Sequence, residues 1–376
     1  MSAMQGRTQC APATIFMTKD VRMYRDFLDF SDLTREEWEE LYSLASDMAA
    51  RPGDYYGACA GKILATLFYE PSTRTQFSIQ SAMMRLGGSA LGFAGPAATS
   101  VEKGESLADT VRMISGYSDI LTIRHPIEGA AFAASLYSSV PVINSGDGSH
   151  LHPTQAITDL FAIGKLLGRY EGLTIGLCGD LLNGRTVHSL VKAFCKFTGN
   201  TFYLISTPEL ALPERYAAPL RAAGNKTLAC ARLEDALPKL DLLYMTRIQK
   251  ERFRSADEYE RQVGIYVLDA EKLRLARENT LILHPLPRID EIAPEVDCDP
   301  RAKYFEQARG GVFIRMALIV KLLAAVGAPL PAAFEPSPGL SCANPLCVTK
   351  HEKYLPPLFD GAGICRYCEN VAESSF

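Results

Sequence analysis

Short apolar runs alternate with stretches of helical spacing from Ile63 to Leu283, and this alternation restricts the fold more than any other feature. Ile63 to Tyr69, Ile120 to Ile123 and Val140 to Ile143 read as one set of strands, and Leu173 to Cys178, Phe202 to Ser206, Leu242 to Met245 and Thr280 to Leu283 as a second. Continuously apolar strands joined by helices belong to a parallel sheet covered on both faces. The expected fold class is therefore α/β: two domains with parallel sheets flanked by helices, joined by a helical pattern from His152 to Leu167, plus a small C-terminal module. In that architecture a ligand cleft lies at the carboxyl ends of the strands, between the halves.

Residues 1–20 show no periodicity and read as a tail. Ser31 to Glu37 reads as a cap and acidic first turn for a helix carrying Trp38, Leu41, Leu44 and Met48. The first domain is expected over 21–151 and the second over 152–327, with an apolar helix from Val312 to Val326 returning to the first. A Pro-, Ala- and Gly-rich linker over 328–340 then leads to the module, 341–376. A net charge of −4 gives no bulk attraction to nucleic acid or an anionic membrane, so anion binding has to come from local Arg and Lys. No apolar run reaches bilayer length and no signal-like start is present, so the expected location is the cytoplasm.

Tyr69-Glu70-Pro71-Ser72-Thr73-Arg74-Thr75 passes from a strand into a helix. A helix N-terminus presents unpaired N–H groups, Ser and Thr add hydroxyls, and Arg adds a planar fork suited to phosphate oxygens. A plain helix cap is the alternative for such a start. Further along come Lys103-Gly104-Glu105-Ser106-Leu107-Ala108-Asp109-Thr110, Arg124-His125-Pro126, Gly146-Asp147-Gly148, His152-Pro153-Thr154-Gln155, Gly179-Asp180 and Gly184-Arg185-Thr186-Val187-His188-Ser189. In this order, over about Asp26 to Val326, these segments resemble the aspartate/ornithine carbamoyltransferase family. Tyr244 to Gln249 and His284-Pro285-Leu286-Pro287-Arg288 resemble its aspartate branch, because ornithine enzymes usually carry a cysteine where this chain has Leu286. Gln76, where the family usually has Arg, and Leu151, where a polar residue is common, depart from the pattern.

The resemblance implies carbamoyl transfer from carbamoyl phosphate to L-aspartate, a step of de novo pyrimidine biosynthesis. It implies that Ser72, Thr73, Arg74, Thr75, Arg124, His152, Gln155, Leu286 and Pro287 bind carbamoyl phosphate. Arg185, Arg247, Gln249, Ser100 and Lys103 would bind aspartate, with Arg74, Thr75, Lys103, Arg124 and His152 as the catalytic set. Ser100 and Lys103 lie on a loop, Gly92 to Gly104, that in the family enters a neighbouring subunit's site, so a homotrimer with shared sites is implied. A second carboxylate on the acceptor calls for additional fixed cations, which Arg185 and Arg247 supply. The leaving phosphate can take the amine's proton, so no cofactor is needed for the chemistry. A carbamoyltransferase for another amino acid and a non-catalytic carbamoyl-phosphate-binding scaffold are the competing readings.

Six cysteines are scattered singly, while Cys342, Cys347, Cys365 and Cys368 form two close pairs with seventeen residues between them. Thiolate pairs at such spacing are a structural zinc signature; two disulfides are the alternative and suit a secreted protein better. Asn344 and Tyr367, inside the pairs, resemble the zinc domain of the family's regulatory chain. Here that module follows the catalytic region directly, with no room between them for a nucleotide-binding domain.

Overall fold

The computed structural model describes residues 26–95, 99–250, 253, 255–325 and 334–374. The expected tail, 1–20, lies outside these, as do residues 328–333 of the expected linker.

Four parallel strands form the first sheet: β1 (Ile63–Phe68), β2 (Ser89–Ala94), β3 (Ile120–His125) and β4 (Val142–Asp147), in the order β2-β1-β3-β4. The second contains β5 (Thr174–Cys178), β6 (Thr201–Ile205), β7 (Lys226–Cys230), β8 (Leu242–Met245) and β9 (Leu281–Leu283), in the order β7-β6-β5-β8-β9. It too is parallel throughout. The interior strands β1, β3, β5 and β8 are buried almost end to end, as their apolar runs require, and β6, beside the edge strand β7, is only partly so. The edge strands β2 and β7 are half-exposed and lack that run, so the sequence reading missed both.

Helices α1 (Arg35–Ala50), α2 (Thr73–Arg85), α3 (Leu107–Ser115) and α4 (Ala130–Tyr137) flank the first sheet, and α5 (Pro153–Leu167) joins the halves. Thr34 caps α1 in a capping box with Glu37. Beyond β5 come α6 (Arg185–Phe194) and α7 (Glu214–Ala222), then the short α8 (Leu233–Ala236), α9 (Ala256–Glu260) and α10 (Ala270–Leu273). Helix α11 (Tyr304–Ala324) starts earlier than its apolar run suggested and packs on α1, α2 and α5. Trp38 of α1, Phe161 of α5, Phe194 of α6 and Leu318 of α11 share one buried cluster that runs between the two sheets. Truncating a fully buried aromatic such as Trp38 costs about 3–5 kcal/mol.

The C-terminal module pairs β10 (Leu340–Cys342) antiparallel with β11 (Ala372–Ser374) and carries α12 (Val348–His351). Val348, Leu358 and Tyr367 share a buried cluster with Leu121 of β3 and Ala130 of α4, which docks the module on the first sheet. Asn344 donates to Glu128 Oε2 at 2.7 Å, and Tyr354 Oη accepts the Ala108 N–H at 2.9 Å. Gly129, with φ +83°, faces Tyr367 so closely that a Cβ there would lie 2.6 Å from the tyrosine Cβ. The module also reaches the second half: Lys192 on α6 donates to Glu369, and Arg215 on α7 donates to Asn370 Oδ1 at 2.7 Å.

Candidate active site

In an open parallel sheet, a crevice forms where successive connections leave a strand in opposite directions. In the first sheet that point lies between β1 and β3, and in the second between β5 and β8. The segments after these strands carry Glu70 to Thr75, Arg124, Asp180 to Arg185, and Thr246 to Gln249. They converge on a cavity of about 200 Å³ lined by five arginines: Arg74, Arg124, Arg185, Arg247 and Arg315. Among the expected site residues, Ser72, Thr75, His152, Gln155, Gln249, Leu286 and Pro287 line it as well. Thr73 is exposed and outside the lining. Ser100 and Lys103 sit on an exposed 3-10 turn, Ser100–Lys103, also outside the lining; residues 96–98 of their loop are not among the described ones.

Ser72 and His152 occupy the N-cap positions of α2 and α5, yet neither side chain makes a capping bond. Both side chains line the cavity instead, so the plain-cap alternative does not account for them. His152 is buried: its N–H donates to Ser189 Oγ at 2.7 Å, its Nδ1 lies 3.3 Å from Thr154 Oγ1, and its Nε2 lies 3.5 Å from Thr75 Oγ1 and 3.4 Å from Arg124 Nη1. Burial, then the charges of Arg124, Arg185 and Arg315, hold the imidazole well below its ordinary range, so it is neutral. Burial likewise lowers Arg124 to about 9, with Arg185 adding to the effect and Glu70 opposing it.

Glu70 was not among the expected site residues, although it lies inside the segment that was singled out. It accepts from Arg124 Nη2 at 3.0 Å and from both terminal nitrogens of Arg185. Gly146, beside the two arginines, adopts φ +118°, a conformation that favours glycine. Arg185 also donates to the Gly148 carbonyl at 2.8 Å. Gln249 Nε2 donates to the Asn183 carbonyl at 2.7 Å, which braces the loop after β8 against the loop after β5. Leu286 adopts φ +56°, a left-handed conformation uncommon for a branched residue, at the turn facing the cavity.

The two departures from the family pattern have structural roles. Gln76 donates to the Phe93 carbonyl at 3.3 Å and reaches Thr66 Oγ1 at 3.4 Å, tying α2 to β2 and β1. Leu151 is buried, and its backbone closes the preceding turn on Asp147 without a polar side chain.

A family model described as aspartate/ornithine carbamoyltransferase, carbamoyl-P binding domain, matches residues 25–165. A second, the Asp/Orn binding domain of the same family, matches residues 171–322. The aspartate carbamoyltransferase catalytic subunit of Clostridium novyi is 53% identical over 299 residues, 80% of this chain and 98% of that protein. The chain belongs to the aspartate/ornithine carbamoyltransferase family. Among solved structures, the catalytic subunit of M. jannaschii aspartate transcarbamoylase is 46% identical, with a TM-score of 0.74 over 80% of this chain and 98% of that one. Aspartate transcarbamoylase from Trypanosoma cruzi, solved with N-(phosphonacetyl)-L-aspartic acid, is 38% identical, with a TM-score of 0.76 over 80% and 96%.

Against this carbamoyltransferase frame, Arg315 and Gln307 on α11 are further cavity-lining residues that the sequence reading missed. Arg315 had a signal, a lone arginine inside the apolar run of Val312 to Val326. It is buried and donates to the carbonyls of Gly311 and Thr154, while its Nε and that of Arg124 have no hydrogen-bond partner among the described residues.

The module lies beyond both matched regions. Its four cysteines are buried, and their sulfurs lie within 4.8 Å of one another. Cys342 and Cys368 Sγ are 3.4 Å apart, and Cys347 and Cys365 Sγ 3.8 Å. Four sulfurs about 2.3 Å from a tetrahedral ion are about 3.8 Å apart, so this donor set fits zinc, whereas a disulfide requires about 2.05 Å.

Proposed function

We propose that the chain transfers the carbamoyl group of carbamoyl phosphate to the amine of L-aspartate, giving N-carbamoyl-L-aspartate and phosphate for pyrimidine biosynthesis. One observation carries this reading: arginines from both sheets converge on one small cavity, Arg74 and Arg124 from the first and Arg185 and Arg247 from the second. That charge suits a phosphate on one side and a dicarboxylate on the other.

In this reading Ser72, Thr73, Arg74 and Thr75 hold the phosphate at the N-terminus of α2, where N–H groups and the helix dipole favour an anion. Thr75, Arg124 and His152 gather on the carbamoyl oxygen. Thr154 can donate to His152 Nδ1 and leave the neutral ring's proton on Nε2, facing that oxygen. The uncharged aspartate amine attacks the carbamoyl carbon and charge develops on the oxygen. Donors placed there contribute about 3–4 kcal/mol each to lowering the barrier. The bond from carbon to the phosphate oxygen then breaks, and the departing phosphate takes the amine proton. Gln155 and the Leu286 and Pro287 carbonyls face the carbamoyl amide, and Arg185, Arg247 and Gln249 face the aspartate carboxylates.

The exposed turn bearing Ser100 and Lys103, outside its own chain's cavity, supports their entry into a neighbour's site within a homotrimer. Phe77 and Met84, two turns apart on α2 and 64% and 54% exposed, support an interface on that side. Cys342, Cys347, Cys365 and Cys368 would hold zinc, which supplies cross-linking of the module and no step of the chemistry. Among the described residues no helix is long and apolar enough to cross a membrane, and the unpaired thiols of Cys59, Cys178 and Cys195 support the cytoplasm.

Steady-state assays with carbamoyl phosphate and a panel of amino acids test the assignment. Aspartate should be carbamoylated far faster than ornithine, with succinate competing against aspartate; a preference for ornithine overturns it.

A further inference from the structure

A glutamine side chain can present either end of its amide, and its neighbours decide which. At Gln155 the neighbour is Asp159, one turn along α5, which is fully buried and outside the cavity lining. Asp159 Oδ1 accepts from Gln155 Nε2 at 2.7 Å and from Gln307 Nε2 of α11 at 2.5 Å. Its Oδ2 accepts from the Tyr244 hydroxyl of β8 at 2.8 Å. Burial raises this carboxyl to about 7. The three hydrogen bonds and the charge of Arg315 oppose that rise, and three donors converging on two oxygens match the ionised form, which predominates above about pH 7. An ionised carboxylate has no hydrogen to give, so all three partners turn donors toward it.

Two consequences reach the cavity. Gln155 is left with Oε1 to present to it. Gln307, its Nε2 engaged, offers Oε1 to the His284 N–H at 3.1 Å. His284 Nδ1 in turn accepts the Leu286 N–H at 2.7 Å, and its Nε2 meets Glu291 Oε1 at 2.6 Å. One buried carboxylate thus connects Gln155 on α5 with the turn from Pro285 to Pro287 beyond β9.

We propose that Asp159 and Gln307 are positioning residues that hold Gln155 Oε1 and the Leu286–Pro287 carbonyls as acceptors toward the amide of the carbamoyl group. They would thereby select a phosphoric anhydride bearing NH2 over one bearing a methyl group. This rests on reading the cavity as a carbamoyl-phosphate site. The orientation of Gln155 then follows from the charge of Asp159. Leucine at 159 keeps roughly the volume and removes both acceptor oxygens, so nothing holds either glutamine with its Nε2 turned away from the cavity.

The test compares carbamoyl phosphate with acetyl phosphate, which has a methyl group in place of NH2, using aspartate as acceptor. The wild-type ratio of kcat/KM values should favour carbamoyl phosphate strongly. Asp159→Leu should lower that ratio about tenfold or more, the worth of one lost polar contact of about 1.4 kcal/mol. Inorganic phosphate, read as a competitive inhibitor, should bind within about twofold of wild type, since its donors do not touch Asp159. If Asp159→Leu does not fold, Gln307→Met keeps the volume, removes the link to His284, and should shift the ratio in the same direction. An unchanged ratio in a folded variant overturns the inference, and so does an equal loss for both donors, which marks a merely structural role. Failure of the wild-type enzyme itself to prefer carbamoyl phosphate sinks the underlying reading instead.

Discussion

Glu70 and Arg185 face each other across the cleft in a two-pronged pair, Oε1 to Nη2 at 3.0 Å and Oε2 to Nη1 at 3.1 Å. Glu70 follows β1 of the first sheet and Arg185 opens α6 beside the second, so the pair spans the two halves. Hydrogen bonds to charged groups contribute ~1.5–3 kcal/mol each, and the Glu70 side chain is 27% exposed, which places these at the lower end. Glu70→Gln keeps the shape and removes the charge. It should raise the KM for aspartate about tenfold and lower the melting temperature by roughly a few degrees. An unaltered KM would show that the pair does not set the aspartate side of the cleft.

Sharing of sites across a trimer makes a sharper prediction. Lys103→Ala and Arg124→Ala subunits should each be inactive alone. Reassembled together they should regain activity, because some cavities then receive an intact Lys103 from one chain and an intact Arg124 from the next. Mixed trimers without recovery would count against sharing.

The metal prediction concerns the module. Metal analysis should find one zinc per chain, lost in Cys365→Ser. Structural zinc contributes ~10–16 kcal/mol to the folding of such small modules. Without it, the cluster of Val348, Leu358 and Tyr367 against β3 and α4 should loosen, exposing the Glu128 surface to hydrogen exchange. Full protection there in a zinc-free variant would refute a structural role for the metal.

Acid stability should depend on His125. Its Nδ1 accepts the Ile127 N–H at 3.1 Å, and its ring packs on Tyr69 with centroids 4.6 Å apart. Burial pushes it down to about 4, against the pull of Asp147 and Glu70. In an unfolded chain it titrates at about 6.5, so between these values the unfolded state binds the additional proton. Its contribution is full above about 6.5 and is lost as pH falls toward about 4, by up to about 1.4 kcal/mol per unit. Denaturant unfolding of wild type and His125→Gln at about pH 7 and about pH 4.5 checks this. The variant should lose less stability on acidification, and equal losses would disprove the assignment.

Much of the cleft was legible because its residues sit in short segments whose chemistry is local: hydroxyls and arginine at a helix start, histidine before a proline-initiated helix. What escaped notice depends on distance along the chain. Glu70 matters because Arg124 and Arg185 fold onto it, and Gln307 because α11 brings it against Asp159 of α5; no spacing rule pairs residues so far apart. β2 and β7 were missed because edge strands are half-solvated and carry no continuous apolar run. The module's docking was missed because a Pro-rich stretch before it says nothing about the surface it lands on.

That docking has a consequence for how the protein behaves on dilution. Asn344 on Glu128, Tyr354 on Ala108, Glu369 on Lys192 and Asn370 on Arg215 are all contacts within one polypeptide. Between separate chains such contacts would be governed by a dissociation constant and would come apart as the protein is diluted. Joined by the backbone, the module meets its surface at an effective concentration set by the connecting segment, on the order of millimolar for a short one. Occupancy of the Glu128 surface is therefore the same in a dilute assay as in a concentrated stock, with a stoichiometry fixed at one module per catalytic unit when the chain is synthesised.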